Sequence, residues 1–273
     1  MIDHETCQQK HFEQARLTER FKREGVKHML FDFDDTLIDT QHIFGTSIKA
    51  FADTLSELSG NGTDPSTVED CFRKILEGIR GEFGIHPSIM QIAARIAGKH
   101  YEVDPDSPMM CQAIDAMMQL YKGQDTIVFD GAVETLSTIA RAGVDPILVT
   151  HASEEFTWGK LRSAKLLGTF AGIFCIPTHM HKDEAAWNYV LDELHQTPQG
   201  VYVVGDSWTS DIRPALAIGI PHERVLRIRS RWVGANKGEI QGIRELDDIA
   251  GLIPALLRKG DNQKKKKGIV ITD

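Results

Sequence analysis

Hydrophobic and polar positions along the chain form two alternating kinds of segment. Short, nearly continuous apolar runs are typical of strands buried on both faces, and they cover residues 26–33, 144–150, 172–176, 201–204 and 225–228. Segments with helical character separate or follow most of these runs, and they cover residues 132–142, 154–167, 183–194, 208–217 and 249–257. The alternation predicts an α/β fold, with a Rossmann-like parallel sheet as core and helices on both of its faces.

Between residues 40 and 123 the chain contains helical patterns only. Predicted helices begin near Thr40, Pro65, Ile89 and Asp106, where Thr40 can cap the first and Pro65 opens the second. The fourth helix is rich in methionine, which is more often core filler than a ligand surface. We therefore predict that residues 40–123 form an all-helical cap domain, inserted into a core of residues 26–39 and 124–259.

Both ends of the chain are polar. Residues 1–25 predict a helical leader with a weak apolar side that includes Leu17 and Phe21. We expect this helix to pack on the outside of the core, and an arm that binds a partner is the alternative. Residues 260–273 include four consecutive lysines, which predict a disordered tail, with weak anion or membrane contact as the alternative.

Composition and charge limit the possible partners. The 273 residues are 41% hydrophobic and 26% charged, as in ordinary globular proteins. The net charge of −8 argues against nucleic acid as the main partner. No segment approaches ~20 consecutive apolar residues, so we predict no membrane-spanning segment. The N-terminus lacks a secretory signal, and we expect a cytoplasmic protein with reduced, widely spaced thiols, namely Cys7, Cys71, Cys111 and Cys175.

Chemically capable side chains follow the ends of the predicted strands. They are, in chain order, Asp32, Asp34, Asp35, Thr150, Lys182, Asp206 and Asp211. Because the carboxyl ends of parallel strands meet at one edge of a sheet, we expect these groups to lie close together. Several carboxylates would bind a hard cation such as Mg²⁺. A lysine and a hydroxyl would hold phosphoryl oxygens.

Each of these features also has a purely structural interpretation. The acids after the first strand can form a solvated turn. Asp206 and Asp211 can be a helix cap and a first-turn acid, and Lys182 can be a surface lysine that precedes a helix. Clustered carboxylates cost free energy unless a cation or an electrophilic centre lies among them, which favours the functional interpretation.

Four short motifs together make the chain resemble the haloacid dehalogenase (HAD) superfamily of phosphohydrolases. Residues 32–37, Asp-Phe-Asp-Asp-Thr-Leu, match the first motif, and residues 147–150, Ile-Leu-Val-Thr, match the second. Lys182 falls where the third motif has its lysine, and residues 205–212, Gly-Asp-Ser-Trp-Thr-Ser-Asp-Ile, match the fourth. The resemblance covers about residues 26–257, and the helical insertion resembles the family's cap of the first type.

The resemblance implies a role for each motif residue. Asp32 would be the nucleophile that forms an aspartyl-phosphate, and Asp34 would be the general acid and then the general base. Thr150 and Lys182 would bind the transferred phosphoryl group. The metal site would use Asp32, Asp206, the main-chain carbonyl of Asp34, and Asp211 near the metal waters or Lys182. Asp35 would point away from the site.

Two positions depart from the family pattern. Lys182 is followed by Asp183, where the family usually has proline, and His151 follows Thr150 where relatives often carry asparagine. His151 could bind a phosphate oxygen, or it could cap the next helix. Lys160 and Lys165 are substitutes for Lys182, but we expect both to face solvent.

The reaction expected from these residues is Mg²⁺-dependent hydrolysis of a small phosphorylated metabolite by a monomer or homodimer. Within the family that the chain resembles, an acid at position 34 speaks against a dehalogenase. A phosphonate-cleaving enzyme, a phosphomutase and a HAD-fold binding protein without catalysis remain alternatives. Substrate choice would depend on the cap, where Arg80 and His86 lie in a glycine-rich bend and could meet a second anionic group.

Overall fold

The structure, a computed structural model, describes residues 4–83, 88–123, 126–229 and 242–258. Its centre is a sheet of six parallel strands in the order β3-β2-β1-β4-β5-β6. The strands are β1 (His28–Phe31), β2 (Asp145–His151), β3 (Gly172–Ile176), β4 (Val201–Gly205), β5 (Val225–Ile228) and β6 (Arg244–Leu246). This parallel sheet confirms the predicted α/β, Rossmann-like fold.

The described residues also form ten α-helices. They are α1 (His4–Glu24), α2 (Thr40–Ser59), α3 (Pro65–Phe83), α4 (Ser88–His100), α5 (Pro108–Gly123), α6 (Ala132–Arg141), α7 (Glu154–Ser163), α8 (Glu184–Glu193), α9 (Arg213–Ala217) and α10 (Leu252–Leu257). Among these helices, none combines the length and the apolar character needed to cross a bilayer. The predicted lysine-rich tail, 260–273, lies outside the described residues.

Apolar side chains pack in three clusters. One cluster lies on the face of the sheet that carries α1, α6 and α10, and a second lies on the opposite face under α8 and α9. A third cluster is built within α2 to α5 alone, around Phe51, Phe72 and the methionines at positions 90, 110 and 117. The helices of residues 40–123 therefore have a core of their own. The proposed domain boundaries fit this separation and remain a prediction.

The connection between sheet and cap helices is short and hydrogen-bonded. Asp35 N donates to Ile38 O at 2.8 Å, and Asp39 N donates to Ile127 O at 2.8 Å. Asp39 caps α2, because its side chain accepts from His42 N at 3.0 Å. The predicted cap, Thr40, is instead the first residue of the helix. The segment that leads from the sheet into the cap helices is thus hydrogen-bonded to the segment that leads back, beside the end of β1.

The strand order creates one crevice at the carboxyl edge of the sheet. From β1 the chain proceeds to β2 and β3 on one side, and it then returns to β4, β5 and β6 on the other. In open α/β sheets, ligands bind where the order reverses in this way. The residues that follow β1 and β4 therefore line the expected binding crevice.

Candidate active site

Asp32 lies at the centre of this crevice. Its main-chain N–H donates to Val204 O at 2.9 Å, which continues the pairing of β1 with β4 one residue beyond the strand. The carboxylate is buried, and it accepts hydrogen bonds from Lys182 Nζ at 2.6 Å and Thr36 Oγ1 at 3.3 Å. The side chain of Asp32 is therefore held between the two halves of the sheet.

Lys182 joins three parts of the site through one buried ammonium group. Its Nζ atom lies 2.6 Å from Asp32 Oδ1, 2.6 Å from Asp211 Oδ1 and 2.7 Å from the main-chain oxygen of Val149. Burial by itself would lower the pKa of Lys182, but the charges of Asp211 and Asp32 outweigh it and raise that pKa. Lys182 thus remains charged at neutral pH, and it is not the surface lysine of the structural interpretation.

The departure from the usual Lys-Pro pair has a local explanation. Asp183 caps α8, since its side chain accepts hydrogen bonds from Ala185 N at 3.0 Å and Ala186 N at 3.2 Å. A capping aspartate satisfies the first amides of the helix. The residue after Lys182 therefore serves as the helix cap, and α8 begins at Glu184.

The loop after β4 carries the other two acids. Asp206 directly follows the strand, and Asp211 lies in a tight π-helical turn (Trp208–Ile212). Asp211 Oδ2 accepts from Ser207 N at 3.0 Å, and the carboxyl group lies so close to Gly205 that any Cβ there would approach it within 2.5 Å. The main-chain oxygen of Asp206 accepts from the buried Arg227 at 3.1 Å. Glycine at 205 is therefore a requirement of the way Asp211 packs.

The carboxylates of Asp32, Asp206 and Asp211 form one buried cluster, with one oxygen of each within 4.8 Å of the others. Burial, followed by the charge of Asp211, raises the pKa of Asp32 to about 7, although Lys182 opposes the shift. Three carboxylates thus lie together around Lys182, and carboxylate oxygens are ligands that Mg²⁺ takes in proteins. The residues present therefore fit a divalent cation.

Asp34 has different surroundings. Its carboxylate lies outside the cluster of three, and its Oδ1 atom forms an ion pair with Lys160 Nζ on α7. The side chain of Lys160 is only 8% exposed. The expectation that Lys160 faces solvent was thus wrong, because the helix side that carries it lies over the acidic loop. Lys165 is exposed and follows the end of α7.

Thr150 and His151 end β2 beside Lys182. Thr150 is fully buried, and His151 is half-buried with its Nε2 atom lacking a hydrogen-bond partner among the described residues. Burial lowers the pKa of His151, and the charge of Lys182 acts in the same direction, while a main-chain hydrogen bond with Met180 opposes them. Ser153 caps α7 through Phe156 N, so His151 is not needed as its cap.

Asp35 faces away from the cluster, toward the start of α2. Its Oδ1 atom accepts from Thr40 N at 3.2 Å, and its backbone has a positive φ of 57°. Of the two predicted specificity residues, Arg80 lies in α3 with a side chain outside the described part, and His86 lies outside the described residues. Their contribution to substrate choice remains a prediction.

Two site residues were missed or misplaced by sequence reasoning. Arg227, which holds the main chain at Asp206, carries a visible signal, because it is a charged residue within the otherwise apolar run of β5. Lys160 carries no comparable signal, since its partner Asp34 is 126 residues away in sequence. A buried lysine such as Lys160 is found only when the packing of the neighbouring elements is known.

Similarity to known proteins agrees with this site. Residues 29–225 match the family of haloacid dehalogenase-like hydrolases. A phosphoglycolate phosphatase from Pseudomonas putida is 29% identical over 196 residues, which cover 70% of this chain and 66% of that relative, slightly under two thirds of its length. A phosphoglycolate phosphatase from Pseudomonas syringae pv. tomato is 26% identical over 239 residues, which cover 85% of this chain and 80% of that relative.

Solved structures support the fold. A haloacid dehalogenase-like family hydrolase from Xanthomonas campestris has a TM-score of 0.66 at 21% identity, over 85% of this chain and 94% of that one. The HAD-hydrolase YfnB from Bacillus subtilis, bound to magnesium, has a TM-score of 0.65 at 19% identity, over 85% of this chain and 98% of that one. Because the family match spans residues 29–225, more than half of the chain, the chain belongs to the haloacid dehalogenase-like hydrolase family. This confirms the family and the enzyme class predicted from its four motifs.

Proposed function

We propose that this protein is a Mg²⁺-dependent phosphatase that hydrolyses a small phosphate monoester through an aspartyl-phosphate on Asp32. The observation that carries the proposal is the buried carboxylate of Asp32 at the reversal of strand order, next to Lys182 and within the cluster of three acids. A nucleophilic carboxylate with a cation beside it matches the charge that develops during phosphoryl transfer.

The metal would be held by carboxylate oxygens of Asp32 and Asp206 and by the main-chain carbonyl of Asp34. Asp211 supports the site indirectly, because Lys182 and Ser207 N already bind its two oxygens. When bound, Mg²⁺ supplies positive charge that offsets the phosphoryl oxygens and the acids around them.

The chain's own residues then account for both chemical steps. In the first step an Asp32 oxygen attacks phosphorus, the ester P–O bond breaks, and the leaving oxygen takes a proton from Asp34. In the second step Asp34 takes a proton from water, the water oxygen attacks phosphorus, and the bond to Asp32 breaks. The products are the free alcohol and inorganic phosphate, and Asp32 is regenerated. Lys182 and Thr150 hold the transferred group.

The names of the relatives support a choice of substrate class. The two relatives above are named phosphoglycolate phosphatases, so 2-phosphoglycolate is the first ester we propose. A phosphonate-cleaving reaction would require a desolvated cap lysine for a Schiff base. The lysines of the described cap helices, at positions 49, 74, 99 and 122, are all exposed, which argues against that alternative.

The proposal is tested with the purified full-length protein, a panel of phosphate monoesters and Mg²⁺. We expect release of inorganic phosphate that requires Mg²⁺ and is removed by EDTA. Asp32→Asn should lower kcat by at least about a thousandfold, whereas Asp192→Asn, at an exposed position on α8, should keep wild-type activity. Mass spectrometry of acid-quenched enzyme should find one phosphoryl group on Asp32.

Three results would contradict the proposal. Absence of hydrolysis of every ester would favour a binding protein without catalysis. Isomerisation of a sugar phosphate without phosphate release would favour a mutase. Equal activity of Asp32→Asn and wild type would assign the nucleophile to another group.

A further inference from the structure

Lys160 lies in the site without a role in the chemistry derived above. It projects from the second turn of α7, the helix that follows the strand with Thr150. Its ammonium group forms an ion pair with Asp34 Oδ1. The lysine side chain is 8% exposed and the aspartate side chain 33% exposed. A buried lysine loses hydration and side-chain entropy, so its position calls for a specific partner.

Two aromatic rings hold the ammonium group of Lys160 beside the carboxylate of Asp34. Lys160 Nζ lies 4.5 Å from the ring centre of Phe156 and 5.9 Å from that of Phe33, within the range of cation–π attraction. Phe156 in turn stacks against Tyr121 of α5, with ring centres 5.1 Å apart. Rings from the acidic loop and from α7 therefore hold the lysine head group, and α5 supports one of them.

We propose that Lys160 is a positioning residue that orients the carboxyl group of Asp34 for proton transfer. The inference rests on the proposed function, in which Asp34 protonates the leaving oxygen. The terminal torsion of an aspartate side chain is soft, and a general acid must be within hydrogen-bond reach of the atom it protonates. An ammonium group bound to Oδ1 fixes the plane of the carboxyl group and leaves Oδ2 to carry the proton.

The way kcat/KM depends on the leaving group of the ester distinguishes a role in orienting Asp34 from a purely structural role of Lys160. An alkyl phosphate such as 2-phosphoglycolate expels a basic alkoxide and needs the acid, whereas p-nitrophenyl phosphate expels a weakly basic phenolate and needs it much less. Values of kcat/KM report the steps up to departure of the leaving group, so they isolate the acid role from the later hydrolysis.

The variant is Lys160→Met, which keeps a long side chain against the rings and removes the charge. We expect kcat/KM for 2-phosphoglycolate to fall at least about tenfold more than kcat/KM for p-nitrophenyl phosphate, a part of the roughly 10²–10⁴-fold that general acids contribute. The ratio of the two values does not depend on the folded fraction of the preparation. Lys165→Met, at an exposed position after α7, is the matched control and should keep the wild-type ratio.

A double variant checks the assigned partner. In an Asp34→Asn background the acid is already absent, so adding Lys160→Met should leave the ratio of the two substrates unchanged. The inference is overturned if Lys160→Met lowers both kcat/KM values by the same factor, leaves both unchanged, or raises them. Failure of the proposed function is a separate result, because it appears in the wild type as the absence of any hydrolysis.

Discussion

Three aspartates within four residues have three different environments. Asp32 is buried against Lys182, Asp34 pairs with Lys160, and Asp35 accepts a hydrogen bond from Thr40 N at the start of α2. Their spacing along the chain therefore gives them different contacts. The first two face the crevice, and the third links the acidic loop to the cap helices.

This difference predicts that Asp35→Asn is far milder than the same change at Asp32 or Asp34. Asparagine tolerates a positive φ, and its amide oxygen can accept the same bond from Thr40 N. We expect kcat/KM close to that of wild type and a loss of at most about 1 kcal/mol in unfolding free energy. Steady-state kinetics and urea denaturation measure the two quantities. Equal inactivity of all three asparagine variants would contradict the assignment of roles.

Sequence reasoning identified the motif residues but not all of their partners. Asp32, Thr150, Lys182, Asp206 and Asp211 were predicted to share one edge. The structure brings the three acids and Lys182 into contact, and Thr150 lies at the same end of β2. The prediction worked because these residues lie at or shortly after the carboxyl ends of apolar strands. The error at Lys160 has the opposite cause, since a helical position indicates a side of the helix but not what packs against that side.

At the scale of single elements, the π-helical turn after β4 positions Asp211. Trp187 on α8 supports this turn, because its indole Nε1 donates a hydrogen bond to Ser210 O at 2.8 Å. The same ring lies 5.3 Å from Lys182 Nζ. One buried tryptophan thus contacts both the lysine and the loop that bears the acids.

Trp187→Phe should loosen that turn. Phenylalanine keeps an aromatic ring beneath Lys182, but it leaves Ser210 O without its donor and leaves a small void. We expect unfolding free energy to fall by about 1–3 kcal/mol, together with weaker stabilisation by Mg²⁺. Urea denaturation and the Mg²⁺-induced rise in Tm test this. Trp158→Phe, at an exposed position on α7, is the control, and equal effects of both variants would contradict the prediction.

The elements that sequence analysis missed lack a hydrophobic pattern. β6 has three residues, Arg-Glu-Leu, at the sheet edge, and two of them are exposed. Helix α7 ends at Ser163, four residues before the predicted end, because Lys165 adopts a positive φ of 56°. A run of residues that are all compatible with a helix does not reveal at which residue the helix ends.

At the scale of the whole molecule, the strand order decides where the site forms. Residues 32 and 206 become neighbours because β4 pairs with β1 rather than with β3. Sequence alone predicted parallel strands and a shared edge, but it did not predict the order. Pairing between strands so far apart in sequence depends on how all helices pack on both faces of the sheet.

The N-terminal helix α1 belongs to this packing. Leu17 and Phe21 are almost fully buried in the cluster with α6 and α10. Tyr202 of β4 donates its hydroxyl to Glu24 Oε2 at 2.7 Å and accepts from Arg20 Nη2 at 3.1 Å. Burial raises the pKa of Tyr202 to about 12. The apolar side of α1 that includes Leu17 and Phe21 is therefore packed in the core, as expected of a helix on the outside of the sheet.

Leu17→Ala should accordingly destabilise the whole protein without changing the chemistry. Removing a fully buried leucine side chain costs about 2–5 kcal/mol in unfolding free energy. Helix α1 packs on α6 and α10 and contacts Tyr202 of β4, four residues before Asp206. We therefore expect kcat to stay close to that of wild type below the unfolding transition. Urea denaturation compared with Phe12→Ala, at a position 64% exposed on the same helix, supplies the control. Equal stability of the two variants would show that α1 does not pack on the sheet in solution, and the leader would then be available to a partner.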